Sequence, residues 1–387
     1  MTVTGLRDAP VVVAARRTPV GTAGHAFRDL TVDRLAAPVV AAVAGDVAGL
    51  GIPVDDVILG NCMGPGGNVA RVSALAAGLG HDVPGLTVDR QCGSGLAAIL
   101  LAGQAVRAGE ADLVVAGGAE SASTAPLRAH RGGGDEPPVP YGRAPFAPAG
   151  HPDPDMGPAA EALATARGVS RERQDAYACH SHAKALAARD AGRFEREIVP
   201  VGGRTDDQRP RPLRMASLSR LPAAFVTGGT VTAGNSSPVS DGAAAVAVVP
   251  DRLRAGLPGL RLRAGAVVGC DPALPGWGPV PAVRRVLERA GVTLGQVAAV
   301  EIVEAFAAQV LAVTDALGLD PLDGDRDRVC ADGGSLALGH PWGASGAVVV
   351  TRLFGRLVRA GAPPGTLGLA TAAVGGGLGV AALFEVV

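Results

Sequence analysis

The sequence predicts an α/β protein made of two similar halves with an inserted domain between them. Strand-like segments alternate with helical ones in both halves, which is typical of α/β architectures with mostly parallel sheets. The same local plan also occurs twice. A glycine-rich turn opens an apolar helix at Cys92 and again at Gly343, and each helix ends in a Val-Arg-Ala-Gly sequence before a further strand. The chain is therefore interpreted as a duplication.

The two helices that open at these turns are apolar on nearly every face of their first turns. A helix that is apolar all round is buried rather than placed on a surface. We therefore expect both helices to lie between two layers at the centre of the molecule. Upstream of them, residues 51–60 resemble residues 291–300, which extends the duplication.

The segment between the halves differs from both. Residues 131–158 are rich in Gly and Pro, which predicts loops, and residues 159–193 are predicted to be helical, with Ser170 as an N-cap and Gly192 as a helix stop. We interpret residues 121–238 as an inserted loop domain. The N-terminal half then spans residues 1–120, completed by about 239–250, and the C-terminal half spans residues 251–387.

Composition excludes several classes of partner. The 387 residues are 48% hydrophobic and 18% charged, with a formal net charge of -1. Arginines are scattered among carboxylates, so the sequence has no basic patch for nucleic acid or an anionic membrane. No segment has the length and apolarity of a membrane span, and the start of the chain lacks the features of a secretory signal. We expect a soluble protein that binds neither nucleic acid nor membrane.

The five cysteines are far apart and odd in number. This pattern argues against a disulfide framework and against a zinc site, and it fits a reducing cytoplasm. His180 and His182 lie two residues apart on a predicted helix and so point to different faces. We expect these histidines to be solvated, and the sequence predicts no metal site.

Cys92 has the strongest case for chemistry. A strand-like segment ends just before it, and the glycines that follow open the first apolar helix. At a helix N-terminus, unpaired backbone N–H groups and the helix dipole favour the thiolate, which is the nucleophilic form of cysteine. The alternative is a small buried residue. The strand, Cys, Gly-x-Gly, helix context favours a nucleophile.

His340 occupies the corresponding place in the second half. It follows a glycine-rich turn and precedes Pro341 and the second helix-opening sequence. In the duplicated plan it enters the centre from the opposite side to Cys92, which makes it a candidate base for that nucleophile. The glycine-rich loop at 375–379 is not a dinucleotide-binding fingerprint, because no helix and no acidic residue follow it.

Five segments in order resemble the motifs of the thiolase family, over essentially the whole chain. They are Cys-Gly-Ser-Gly-Leu at 92–96, Thr-Ala-Gly-Asn-Ser-Ser at 232–237, Val-Glu-Ala-Phe at 303–306, Gly-His-Pro at 339–341 and Ala-Val-Gly-Gly-Gly at 373–377. The resemblance implies a duplicated thiolase-like fold, with mixed sheets around buried central helices and an inserted loop domain. It also implies a homodimer, or two dimers paired into a homotetramer.

The resemblance further assigns roles to residues. Cys92 accepts the acyl group, and His340 activates it and helps to bind a thioester oxygen. The backbone N–H groups of Cys92 and Gly375 form the oxyanion hole, and Ser237 and Phe306 bind the substrate. No cofactor is implied, because coenzyme A or a carrier-protein thioester is the substrate. An acyl carrier protein is a candidate partner.

Two positions depart from the family pattern. The family's second cysteine, which removes the α-proton of the acceptor thioester, falls at Ala373, and the asparagine of the second oxyanion hole falls at Val303. Loss of a general base costs roughly 10²–10⁴-fold in rate, and loss of an oxyanion donor costs about 10²–10³-fold. Both losses affect enolate formation and leave acyl transfer onto Cys92 intact.

Four functions remain open, and the first is favoured. It is an acyltransferase that forms acyl-Cys92 and passes the acyl group to an acceptor nucleophile, with His340 as base. The second is a decarboxylative, ketosynthase-like condensing enzyme, against which Val303 counts. The third is an ordinary acetyl-CoA C-acyltransferase with an unrecognised base, and the fourth is a non-catalytic partner subunit. Trp342, beside His340, is expected to pack rather than to narrow the acyl pocket.

Overall fold

A computed structural model of the chain describes residues 8–134 and 136–387, so residues 1–7 of the predicted N-terminal half and one residue of the predicted loops lie outside it. The strands are β1 Pro10–Arg17, β2 Gly21–Thr22, β3 Asp56–Gly60, β4 Gly85–Val88, β5 Val114–Glu120, β6 Ala129–His130, β7 Val139–Pro140, β8 Ser240–Pro250, β9 Leu260–Gly269, β10 Val297–Ile302, β11 Leu367–Val374 and β12 Leu378–Val386. The α-helices are α1 Val32–Asp46, α2 Val69–Ala76, α3 Ser94–Ala108, α4 Met156–Arg167, α5 Arg171–Asp190, α6 Met215–Leu218, α7 Pro279–Ala290, α8 Ala307–Leu317, α9 Ser335–Leu338 and α10 Trp342–Phe354. None of the helices in the described ranges has the length and apolar composition of a membrane span.

One mixed sheet runs through both halves, in the order β10-β11-β12-β9-β1-β8-β5-β3-β4, and β2 pairs with β8 beside it. In the N-terminal half, β3 is parallel to β5, β5 is antiparallel to β8, and β8 is antiparallel to β1. In the C-terminal half, β10, β11, β12 and β9 repeat this sequence of parallel, antiparallel and antiparallel pairs. The predicted α/β class and the duplication are confirmed.

The expectation of mostly parallel pairing, drawn from the alternation of strands and helices, is wrong. Most neighbouring strands are antiparallel. A short turn joins β11 to β12, and β8 reaches the sheet only after the long insertion, so neither strand follows a helical crossover of the kind that makes neighbours parallel. The two halves meet where β1 pairs with β9 through Val11 and Val12.

Helices α3 and α10 pack against each other at the centre. Every residue of α10 after Trp342 is buried. The two backbones approach closely through glycines: a Cβ atom on Gly95 would lie 2.8 Å from the backbone nitrogen of Ala347, and one on Gly346 would lie 2.4 Å from that of Leu96. The repeated glycine sequences are therefore the points at which the central helices cross.

The segment 121–238 contains β6, β7 and helices α4 to α6. Ser170 Oγ accepts a hydrogen bond from the backbone N–H of Arg173 at 3.3 Å, and Gly192 has φ 69°. Both predicted helix boundaries are therefore confirmed. The division of the chain at residues 120, 238 and 250 stays a prediction.

His182 does not have the solvated side chain that was expected. It is fully buried on α5, where Nδ1 accepts the backbone N–H of Arg211 at 3.3 Å, and burial lowers its pKa to about 3. His180 is partly buried, and burial lowers its pKa to about 4. Helical spacing places the two rings on different faces, but it does not reveal that the segment around Arg211 covers one of them.

Candidate active site

A cavity of about 420 Å³ lies beside the turns that precede α3 and α10. Residues from both halves and from the inserted segment line it. Among them are the predicted positions Cys92, Ser237, Phe306, His340, Ala373 and Gly375. Val303 lies elsewhere, in the hydrophobic core, with 1% of its surface exposed. The fold thus brings together every predicted site residue except Val303.

A strained turn presents Cys92 to this cavity. Cys92 lies in a single 3₁₀ turn, Gln91–Gly93, directly before α3. Gln91 has φ 44°, a left-handed conformation that non-glycine residues adopt rarely. Asp89 holds the turn, because its Oδ1 accepts the backbone N–H of Gln91 at 2.8 Å and its side-chain N–H at 3.1 Å. Ser94 Oγ closes it by donating to the Gln91 carbonyl at 2.7 Å.

The surroundings of Cys92 favour the thiol over the thiolate. Burial raises the pKa of the Cys92 thiol to about 12, and the charges of Glu120 and Asp89 add to this, whereas the backbone N–H of Cys92 acts in the opposite direction. The expectation that the helix terminus alone supplies a thiolate therefore fails, because desolvation outweighs the helix terminus. A base has to remove the proton.

His340 is held as a neutral base. Its Nδ1 lies 2.6 Å from Ser345 Oγ, and that hydroxyl donates its one proton to the Pro341 carbonyl at 2.8 Å. Ser345 must therefore accept from Nδ1–H, which leaves the lone pair on Nε2. Burial lowers the pKa of His340 to about 4, so the ring is neutral at pH 7. Within the described chain, Nε2 is buried without a hydrogen-bond partner.

Two backbone amides complete this side of the cavity. Gly375 follows β11 directly, and the Phe146 ring packs so closely on it that a Cβ atom would lie 2.8 Å from the ring. In residues 8–134 and 136–387, neither the Gly375 N–H nor the Cys92 N–H donates to another residue. Unpaired amides at such positions are suited to stabilise an oxyanion.

The substrate-binding candidates lie on the side of the inserted segment. Ser237 Oγ donates to the Ala305 carbonyl at 2.8 Å, which ties the end of the insertion to the C-terminal half. The ring of Phe306 packs edge-on against Phe225, with 6.0 Å between the ring centroids. Both aromatic rings line the cavity, and they give an apolar surface for an extended thioester arm.

The two substituted family positions offer no polar group. Ala373 presents only a methyl group to the cavity, and Val303 is packed in the core. Neither side chain can accept a proton or donate a hydrogen bond. Trp342 lines the cavity, and its expected packing role stays a prediction. Among the described residues, no group of three or more His, Cys, Asp or Glu side chains is placed to hold a metal ion.

Three further residues belong to the site. Ser345 orients His340, and its spacing within the Gly-Ala-Ser-Gly sequence was a usable signal. Cys62, just after β3, lines the cavity with its Sγ 3.6 Å from Ser94 Oγ, and burial raises the pKa of its thiol well above the ordinary value. Gln309 on α8 also lines the cavity. No local pattern marks these last two, because only packing brings them to the site.

Comparison with known proteins adds an independent line of observation. The thiolase N-terminal domain model matches residues 10–252, and the thiolase C-terminal domain model matches residues 258–386. The chain is 41% identical over 396 residues to the acetyl-CoA acetyltransferase of Pseudomonas aeruginosa, covering 96% of this chain and 98% of that protein. It is 41% identical over 400 residues to the acetyl-CoA acetyltransferase of Shinella zoogloeoides, covering 97% and 98%. The crystal structure of the Bacillus anthracis acetyl-CoA acetyltransferase matches with a TM-score of 0.88 at 37% identity, covering 98% of this chain and 99% of that chain.

Proposed function

The chain belongs to the thiolase family and is an acyltransferase, and on this basis we propose that it forms an acyl-Cys92 thioester and transfers the acyl group to an acceptor nucleophile. The donor is an acyl-coenzyme A or an acyl-carrier thioester. One observation carries the proposal: the Cys92 thiol lines the same cavity as His340, whose Nε2 has no hydrogen-bond partner among the described residues. This is the nucleophile and base pair that acyl transfer through cysteine needs.

In the first half-reaction, Nε2 of His340 takes the Sγ proton of Cys92 while the sulfur attacks the thioester carbonyl. The carbonyl oxygen becomes an oxyanion, and the N–H groups of Cys92 and Gly375 donate to it. The carbon–sulfur bond to the donor then breaks. The leaving thiolate takes the proton from the imidazolium of His340, which returns to its neutral form.

In the second half-reaction, the acceptor occupies the space that the leaving thiol vacates. His340 takes the proton of the acceptor as its oxygen, nitrogen or sulfur attacks acyl-Cys92. The same two amides stabilise the second oxyanion. Collapse of this intermediate releases the product, and the proton on His340 returns to the Cys92 sulfur. No group at positions 303 or 373 takes part in either half-reaction.

A second candidate is carbon–carbon bond formation, the reaction class in the names of the relatives. It is favoured by Cys62, a second thiol in the cavity that could act as the base in place of the residue lost at Ala373. Burial raises the pKa of Cys62 well above the ordinary value, so this thiol stays protonated at neutral pH and can accept a proton only after another group has removed its own. Val303 also offers no donor to an enolate oxygen. We therefore rank this function second.

Intact-protein mass spectrometry tests the proposal directly. The protein is incubated with a panel of acyl-coenzyme A and acyl-carrier thioesters, and its mass should rise by one acyl group. Cys92→Ala should abolish the adduct, whereas Cys62→Ala is the matched control and should keep it. An undiminished adduct in Cys92→Ala would sink the assignment of the nucleophile. The donor that labels fastest identifies the acyl group and its carrier.

A further inference from the structure

Gln309 is a buried polar side chain whose amide makes no hydrogen bond to any of the described residues. It is the third residue of α8, and 1% of its surface is exposed. Both the amide oxygen and the amide nitrogen are buried, and neither has a hydrogen-bond partner in the described part of the chain. A buried amide without partners destabilises a fold, because its hydration is lost and not replaced. Buried polar groups without a partner are rare in native structures, so the position of the Gln309 amide needs an explanation.

The side chain is not used to cap its own helix. A Gln at the third position of a helix commonly folds back to the N–H of the N-cap residue, which here is Phe306. Gln309 makes no such bond and lines the cavity that contains Cys92 and His340. The buried Gln174, which is not part of the cavity wall, differs in that its amide nitrogen donates to the Val169 carbonyl at 3.2 Å and to Thr230 Oγ1 at 2.9 Å, although its amide oxygen has no partner in the described part of the chain.

The wall around Gln309 is apolar. A 3₁₀ turn, Pro275–Trp277, contacts α4, α8 and β11, so this wall lies beside the strand that carries Ala373. A Cβ atom on Gly276 would lie 3.2 Å from Cγ of Gln309, which shows how closely the turn packs on the glutamine. The cavity residues contributed by α4, this turn and α8 are Met156, Gly157, Ala159, Ala160, Pro275, Gly276 and Gln309. The amide is the one polar group in that set.

We propose that Gln309 selects an acyl group that carries a neutral hydrogen-bonding substituent, and that its amide binds this substituent when the acyl group is on Cys92. The inference rests on the proposed function. A pure hydrocarbon chain would fill the apolar wall but leave both amide atoms unpaired. A substituent that both donates and accepts, such as a hydroxyl or a carboxamide, satisfies Oε1 and Nε2 together.

A charged substituent does not fit this wall. A carboxylate or an ammonium group buried there would need an opposite charge to offset its desolvation, and none of the seven wall residues is ionisable. A simple keto group would pair with Nε2 and leave Oε1 without a donor. The substrate class is therefore a hydroxyacyl thioester or a carboxamide-bearing acyl thioester.

The test compares thioesters of equal chain length: unsubstituted, hydroxylated at successive carbons, ending in a carboxamide, and ending in a carboxylate. The readout is kcat/KM for formation of acyl-Cys92. The unmodified protein should prefer the best hydroxylated or carboxamide thioester over the plain one by about tenfold or more, which is what one or two neutral hydrogen bonds supply. Gln309→Met, which keeps the length of the side chain, should lose this preference.

Thermal unfolding shows whether Gln309 selects the acyl group or only supports the folded structure. Gln309→Met removes two unpaired buried groups, so its midpoint should equal or exceed that of the unmodified protein. Gln174→Met is the matched control: it should unfold at a lower temperature and keep the acyl preference. If Gln309→Met unfolds earlier and slows all thioesters equally, Gln309 is structural and the inference is overturned.

For the unmodified protein, different results distinguish failure of the inference from failure of the proposed function. Rapid acylation without preference, or a preference for the carboxylate, would overturn the inference and leave the proposed function standing. If no thioester of any kind acylates Cys92, the proposed function fails, and the inference fails with it.

Discussion

At the scale of single residues, acyl transfer requires that the thiol proton of Cys92 be removed. A thiol with a pKa of about 12 faces a base with a pKa of about 4. Both shifts are caused mainly by burial, and both favour the neutral thiol and the neutral imidazole over a thiolate and an imidazolium. The resting site therefore holds a neutral pair rather than an ion pair. Proton transfer has to accompany attack of the sulfur on the thioester.

We predict that His340→Ala slows acylation of Cys92 by roughly 10²–10⁴-fold at pH 7, the usual effect of losing a general base. The loss should shrink as the pH rises, because the thiolate fraction of Cys92 grows towards its pKa of about 12. The unmodified protein should lose activity only as the pH falls through about 4, where Nε2 becomes protonated. Burst-phase release of the donor thiol measures both profiles. A variant as fast as the parent at pH 7 would make His340 a structural residue.

We also predict that the unmodified protein does not exchange the α-hydrogens of acetyl-coenzyme A with deuterated solvent. Enolate formation needs a proton acceptor and a donor to the oxyanion, and Ala373 and Val303 supply neither. Ala373→Cys should recover measurable exchange, because residue 373 lines the cavity, whereas Val303→Asn alone should not, because residue 303 lies in the hydrophobic core. Mass spectrometry of the thioester records the exchange. Ready exchange by the unmodified protein, abolished by Cys62→Ser, would establish Cys62 as the base.

At the scale of elements, two helix-opening turns create the site. Cys92 precedes α3 and His340 precedes α10, and these helices pack together at the centre. Their N-terminal ends meet because glycines allow the backbones to touch. The relative position of Cys92 and His340, the proposed nucleophile and base, therefore depends on the helix crossing as much as on the turns themselves.

This dependence predicts that Gly95→Ala destabilises the protein. The new Cβ atom would lie 2.8 Å from the Ala347 nitrogen and 2.9 Å from the Gly343 oxygen, and these backbone atoms cannot move aside alone. We expect a loss of about 1–3 kcal/mol or more. Gly45→Ala on α1, where nothing lies within 4 Å, is the control and should gain roughly 0.5–1 kcal/mol. Equal unfolding midpoints for the two variants would contradict the close crossing.

At the scale of the whole molecule, burial of histidines links stability to pH. The pKa values of His182 and His340 are lowered from 6.5 to about 3 and about 4, in both cases mainly by burial. Below pH 6.5 the unfolded chain therefore binds protons that the folded chain does not. The free energy of unfolding therefore falls as the pH drops from about 6.5 towards 4.

We predict that His182→Asn weakens this pH dependence, because each buried histidine contributes up to about 1.4 kcal/mol per pH unit in that range. Asparagine retains an acceptor for the backbone N–H of Arg211. Urea unfolding at pH 7 and pH 5 measures the effect, with His25→Asn at an exposed position as the control. An unchanged pH dependence in His182→Asn would mean that this histidine is not kept neutral by the fold.

The sequence by itself determined the features that local patterns encode. Apolar helices opened by glycine-rich turns, repeated at a distance, were enough to predict a duplicated α/β fold with buried central helices. The same glycine-rich turns marked Cys92 and His340, because each residue directly precedes one of the two helix-opening sequences. The substitutions at Ala373 and Val303 were visible once the surrounding motifs were aligned.

The tertiary structure alone decided the direction of most strand pairs and the joining of the halves through β1 and β9. It also decided that burial keeps the Cys92 thiol protonated, that His340 is neutral with its lone pair on Nε2, and that the Gln309 amide makes no hydrogen bond within residues 8–134 and 136–387. These properties depend on burial and on atoms that are distant along the chain. The desolvation of a group depends on all the atoms packed around it, and most of these atoms come from distant parts of the chain. No short stretch of sequence therefore predicts it.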